Sequence, residues 1–128
     1  MTAAAPIILV VEDEALVQVL VVEVLQERGY AVQAAASAAE ALVLLRDRCG
    51  DIDVLLTDIN LGAGENGLEL AHKARVLCPG IRVIYVTGGA YAKALTERVP
   101  DSVLIPKPYE LDQICEEVAR ALPPRRAG

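Results

Sequence analysis

Five times along this chain a short aliphatic run gives way to a longer stretch in which apolar residues recur at helical spacing. Ile7-Ile8-Leu9-Val10-Val11 is continuous β-branched and Leu sequence, the pattern of a strand covered on both faces. From Glu14 to Arg28 the period becomes helical, and Gly29 stands where a helix stops. Residues 31–35 form a weaker, Ala-rich strand, and Ser37-Ala38-Ala39-Glu40 has the form of a capping box opening a helix to about Arg48. Asp53 to Thr57 reads as a third strand with Asp58 at its end. A loop from Asn60 to Gly67 follows, then a helix to about Leu77, broken by Cys78-Pro79-Gly80. Residues 82–87 and 102–106 give two more strands, with helices over Tyr91–Arg98 and about Glu110–Leu122.

Strands that alternate with helices pair in parallel through right-handed crossovers, so the chain reads as an α/β fold, a doubly wound five-stranded parallel sheet flanked by five helices. Residues 1–122 form one domain, and the tail 123–128 is expected to be disordered. Its 128 residues suit a single hydrophobic core. In such sheets ligands lie beyond the carboxyl ends of the strands, which is where chemistry should be sought.

Composition removes several classes of function. Apolar residues are 54% of the chain, too many for a disordered acidic tail. No uncharged run exceeds 11 residues, against the roughly 20 needed to cross a bilayer. No basic stretch precedes the first apolar run, so a cleaved leader is not expected and the cytoplasm is the expected compartment. A net charge of −6 disfavours direct binding to nucleic acid. With four Tyr and neither Phe nor Trp, stacking sites for bases or flavins are hard to build. Cys49, Cys78 and Cys115 are widely spaced and odd in number, and read as reduced apolar fillers without a metal-ligand pair.

The expected carboxyl ends carry Glu12-Asp13, Asp58, Thr87 and Lys107. Carboxylates brought within a few ångströms raise one another's pKa unless a cation joins them. Mg²⁺ suits such a site, since it takes oxygen ligands, keeps several waters and pairs one or two carboxylates with phosphate oxygens. Thr87 can donate to a phosphoryl oxygen and Lys107 supplies positive charge. The set is suited to making and holding an aspartyl phosphate.

From about Ile7 to Leu122 the chain resembles the receiver domain of two-component response regulators, a CheY-like family. The motifs are Leu9-Val10-Val11-Glu12-Asp13-Glu14, Leu55-Leu56-Thr57-Asp58-Ile59-Asn60, Val83-Ile84-Tyr85-Val86-Thr87-Gly88 and Ile105-Pro106-Lys107-Pro108-Tyr109. The resemblance implies a flavodoxin-like sheet of strand order 2-1-3-4-5. It implies that Asp58 takes a phosphoryl group from a phosphohistidine on a histidine kinase or histidine phosphotransfer protein. It also implies that Asp13 binds Mg²⁺ directly, Glu12 mostly through water, Asn60 through its backbone carbonyl, and Asp58 as a further ligand. Thr87 would meet the phosphoryl group, Lys107 would pair with Asp58, and the Lys107-Pro108 bond would be cis. Such a domain catalyses only its own phosphorylation and dephosphorylation, and is not an enzyme acting on a separate substrate. It would then regulate, or relay to, a downstream protein.

On the first helix, Val17, Leu20, Val21 and Val24 share a face expected to meet the sheet. Ala15, Val19 and Val22 fall toward the other side as an apolar stripe, where the family docks its phosphodonor. Many family members carry an aromatic switch residue where this chain has Leu104, which shifts the expected readout to backbone and loop changes around residues 87–98. Because the chain ends soon after the last helix, a stand-alone receiver is expected. A phosphorylation-independent interaction module and a receiver excised from a hybrid histidine kinase are the alternatives. A flavodoxin-type electron carrier fits poorly, lacking both the phosphate loop and the aromatics.

Overall fold

A computed structural model describes residues 5–62, 64–89 and 91–122. The elements run β1 (Ile7–Val11), α1 (Ala15–Glu27), β2 (Ala31–Ala35), α2 (Ala38–Arg48), β3 (Ile52–Asp58), α3 (Gly67–Leu77), β4 (Arg82–Thr87), α4 (Tyr91–Glu97), β5 (Ser102–Pro106) and α5 (Leu111–Ala121). The five strands are parallel in the order β2-β1-β3-β4-β5. The expected fold class and strand order are therefore met. The expected tail at 123–128 lies outside the described residues.

The unbroken apolar runs reflect burial on both faces. Successive side chains of a strand point to opposite sides, so each strand feeds two cores. Leu9, Val11, Leu55, Val83 and Tyr85 pack with residues of α2, α3 and α4. Ile8, Val10, Val54, Leu56, Ile84 and Val86 pack with residues of α1 and α5. β2 is weaker because only Ala35 of it is fully buried. Ser37 caps α2 by accepting from the Glu40 N–H at 3.2 Å, and the Glu40 carboxylate accepts from Ala36, one residue before the cap.

Two expectations need correction. Leu20 of α1 is 44% exposed, whereas Val22 is half-buried against the α1–α5 core. The helix is turned so that Gln18 faces inward, its side-chain amide donating to the carbonyls of Glu12 and Ala35, each at 3.0 Å. A polar residue on the buried face is what helical periodicity misassigned. The outward apolar residues of α1 are Leu16 (73%), Val19 (49%) and Leu20, with Ala15 exposed beside them.

The second correction concerns the cysteines. Cys49 and Cys78 are joined as a disulfide, with Cα atoms 5.5 Å apart. Only Cys115 is free, buried among the α1–α5 core residues. The bridge joins positions 29 apart in sequence, and only the packing of α2 beside α3 reveals it.

Candidate functional site

The register of the sheet builds the site. Val11 stands level with both Ala35 and Thr57, Asp58 with Val86, and Thr87 with Pro106. The residues that leave β1, β3, β4 and β5 therefore emerge on one rim. Glu12, Asp13 and Asp58 each bring a carboxylate oxygen within 4.8 Å of the others. Glu12 and Asp58 are buried, while Asp13 is exposed.

Asp58 is held on both oxygens. Lys107 Nζ donates to Oδ2 at 2.8 Å, and the Asn60 backbone N–H donates to Oδ1 at 3.3 Å. The Lys107 side chain is 35% exposed against 5% for Asp58, so the pair sits in a shallow, partly wet recess. The Lys107 N–H donates to the carbonyl of buried Thr87 at 2.8 Å, which fixes the lysine backbone to the end of β4. Lys107-Pro108 is cis. Gly88 lies so close that an added Cβ would touch Lys107 Cδ at 3.4 Å.

Glu12 is the most perturbed acid. Burial pushes its carboxyl up to about 7, the charge of Asp58 and a side-chain hydrogen bond with Asp13 add to this, and the Glu14 N–H and the charge of Lys107 oppose it. The Glu14 N–H reaches Glu12 Oε2 at 3.1 Å. Burial draws the Lys107 ammonium down, but its hydrogen bond to Asp58 and the charges of Asp58 and Glu12 outweigh that and hold it above the usual lysine range. Tyr109, half-buried beside them, has its hydroxyl pushed up by burial first and by Glu12 second. The residues present fit a divalent cation: three close carboxylates are mutually repulsive, and an oxygen-seeking ion would join them.

All the residues expected at the rim, Glu12, Asp13, Asp58, Asn60, Thr87 and Lys107, stand at the carboxyl ends of β1, β3, β4 and β5 or just beyond them. Two supports were missed in the sequence. Asn66 and Glu69 form a full capping box at the start of α3, with the Glu69 N–H reaching Asn66 Oδ1 at 2.9 Å and the Asn66 N–H reaching Glu69 Oε1 at 3.3 Å. The Asn-x-x-Glu spacing was the available signal. Gly67 has no local signal: an added Cβ there would stand 2.2 Å from the carbonyl oxygen of Asp58, so α3 packs its first residue directly on the backbone of the central aspartate.

Comparison with known proteins agrees with this arrangement. The pattern of the response regulator receiver domain matches residues 8–119. The chain is 34% identical over 119 residues to the sensor kinase CckA of Brucella abortus, covering 90% of this chain but only 12% of CckA. It is 30% identical to the response regulator receiver protein CpdR of the same organism, covering 90% of this chain and 95% of CpdR. Among solved structures, a response regulator receiver protein from Sinorhizobium medicae superposes with a TM-score of 0.86 at 30% identity, over 91% of this chain and 94% of that one. With strand order, rim and sequence pattern in accord over nearly all of its length, the chain belongs to the response regulator receiver domain family of two-component signalling.

Proposed function

We propose that the chain is a phosphoacceptor: Asp58 takes a phosphoryl group from a phosphohistidine of a histidine kinase or histidine phosphotransfer protein. The observation that carries this reading is the Lys107–Asp58 contact at 2.8 Å within a nest of two further carboxylates. An Asp58 carboxylate oxygen attacks phosphorus, the P–N bond to the imidazole breaks, and the nitrogen keeps the electron pair. Such transfer needs in-line placement and neutralised charge more than covalent help. The Asn60 N–H and Lys107 orient the Asp58 carboxylate before transfer. Lys107 then follows the new phosphoryl oxygens, and the Thr87 hydroxyl donates to one of them. Glu12, Asp13, Asp58 and the Asn60 carbonyl would hold Mg²⁺, whose chemistry is to offset the negative charge that gathers during transfer.

The self-catalysed transfer acts on no separate substrate. Docking of the donor falls on α1, where Leu16, Val19 and Leu20 with Ala15 leave an apolar face beside the groove lined by Glu14, Val17, Lys107, Pro108 and Tyr109. Among the described residues no helix is long and apolar enough to cross a membrane. The domain is proposed to act in the cytoplasm and to relay to a downstream protein.

Incubation with acetyl phosphate and Mg²⁺, followed by intact mass measurement, tests the reading. The expected result is a gain of one phosphoryl group that is absent in Asp58→Asn. No gain in the unsubstituted chain would overturn it in favour of a phosphorylation-independent interaction module.

A further inference from the structure

The amino ends of β3 and β4 carry a second chemical feature, at the end of the sheet away from Asp58. Cys49 closes α2, Cys78 closes α3, and the two are bonded to each other just before these strands begin. Their Cα separation of 5.5 Å lies inside the usual disulfide span of about 4.4–6.8 Å, so no backbone movement is needed to join or part them. The two sulfurs differ in access. Cys78 is buried, whereas Cys49 is only half-buried. Exchange with a reductant would therefore start at the Cys49 sulfur, the end of the bridge nearer solvent. Cys115 packs in the other core, with the α1 and α5 residues, and does not compete for either partner. The bridge closes a ring that contains all of β3, the loop after it and α3, which is the segment bearing Asp58 and Gly67.

We propose that Cys49 and Cys78 are a reversible redox couple, a dithiol that a peroxide converts into a covalent clamp between α2 and α3. The Cys49 thiolate attacks one peroxide oxygen, the O–O bond breaks, and a sulfenic acid and hydroxide result. The Cys78 thiolate then attacks the Cys49 sulfur and expels its hydroxide as the S–S bond forms. Two thiols and one hydrogen peroxide thus give one disulfide and two waters. A small dithiol reverses the step by exchange and is itself oxidised. The clamp restrains the unfolded chain and holds the lower ends of α2 and α3 together. It is independent of the phosphoacceptor reading, since neither sulfur lies at the rim.

The test treats the whole chain with hydrogen peroxide or with dithiothreitol, quenches in acid, denatures, alkylates and weighs it. One alkylated cysteine is expected after peroxide and three after dithiothreitol. The reduced form should melt about 10 °C lower, from the entropy of a ring of this size spread over a chain of this length. Cys49→Ser should abolish the redox dependence of melting, and Cys115→Ser should keep it. Three alkylated cysteines after peroxide, a single one after dithiothreitol, or equal melting temperatures in the two treatments would each overturn the proposal. The dithiothreitol arm on the unsubstituted chain stands even if a cysteine variant fails to fold.

Discussion

The two ends of the central sheet use the same strands for opposite purposes. At the carboxyl ends, three carboxylates crowd within 4.8 Å of one another with one lysine to offset them, and Glu12 is driven up to about 7 by its surroundings. At the amino ends, a disulfide ties α2 to α3, and the nearby Gly80 has open space around it. One end stores electrostatic tension and is ready for a cation or a phosphoryl group. The other end is closed by a covalent bond and tolerates change. The difference teaches that stability held at one edge of a fold permits an unfavourable charge arrangement at the other, since both edges draw on the same two cores.

Substitutions can break or sharpen this contrast. Gly67→Ala should cost most, about 3 kcal/mol or more, because the added methyl meets backbone and not a side chain that can move. Gly80→Ala at the opposite end should be near neutral, within about 0.5 kcal/mol. Urea denaturation of both variants measures the gap, and equal costs would remove the claim that the rim is tightly built.

The pH dependence comes next in size. Glu12 has a folded-state pKa raised to about 7 from an ordinary 4.5. Its protonated form is therefore favoured in the fold, so its contribution is fully present below the ordinary carboxylate range and is lost as pH rises through about 7. Without divalent cation the chain should lose on the order of 2–3 kcal/mol from this group between pH 4.5 and pH 8. Mg²⁺ at about ten times its Kd should restore about 1.4 kcal/mol at pH 8, and less at pH 6, where Glu12 holds a proton. Thermal melts with and without MgCl₂ at both pH values check the sign; greater Mg²⁺ stabilisation at pH 6 would contradict it.

Tyr85→Phe probes the interior between the two ends. The Tyr85 ring is fully buried and its hydroxyl accepts from the Val99 N–H at 3.1 Å, tying β4 to the segment before β5. Its loss leaves a buried N–H unpaired and should cost about 1–2 kcal/mol, with faster hydrogen exchange at Val99. The smallest effect on stability is expected from Val19→Asp, within about 0.5 kcal/mol. That variant should slow transfer from the cognate phosphohistidine donor at least tenfold while leaving acetyl phosphate labelling unchanged. Unaltered transfer from the donor would move the docking face off α1.

Much of this was legible in the chain because it is local. Every strand and helix was expected within one or two residues, since aliphatic runs, Gly29, Pro79 and the Ser37 cap act on their immediate neighbours. The rim residues were legible because they end strands whose parallel direction follows from alternation, while the strand order was implied by the resemblance to receiver domains. Gln18 shows the limit: polar by type, it faces inward because two backbone carbonyls await it there.

By itself, then, the order of residues determined the layers, the parallel sheet and the identity of the groups at its rim. Periodicity and chain breaks are properties of neighbouring residues, so folding is not needed to see them. The tertiary structure alone decided the bonding of Cys49 to Cys78, the outward face of α1, the contact of Gly67 with the Asp58 carbonyl and the raised pKa of Glu12. Each of these depends on how closely distant segments approach and how much water they exclude, and distance and solvent are set only when the helices have packed.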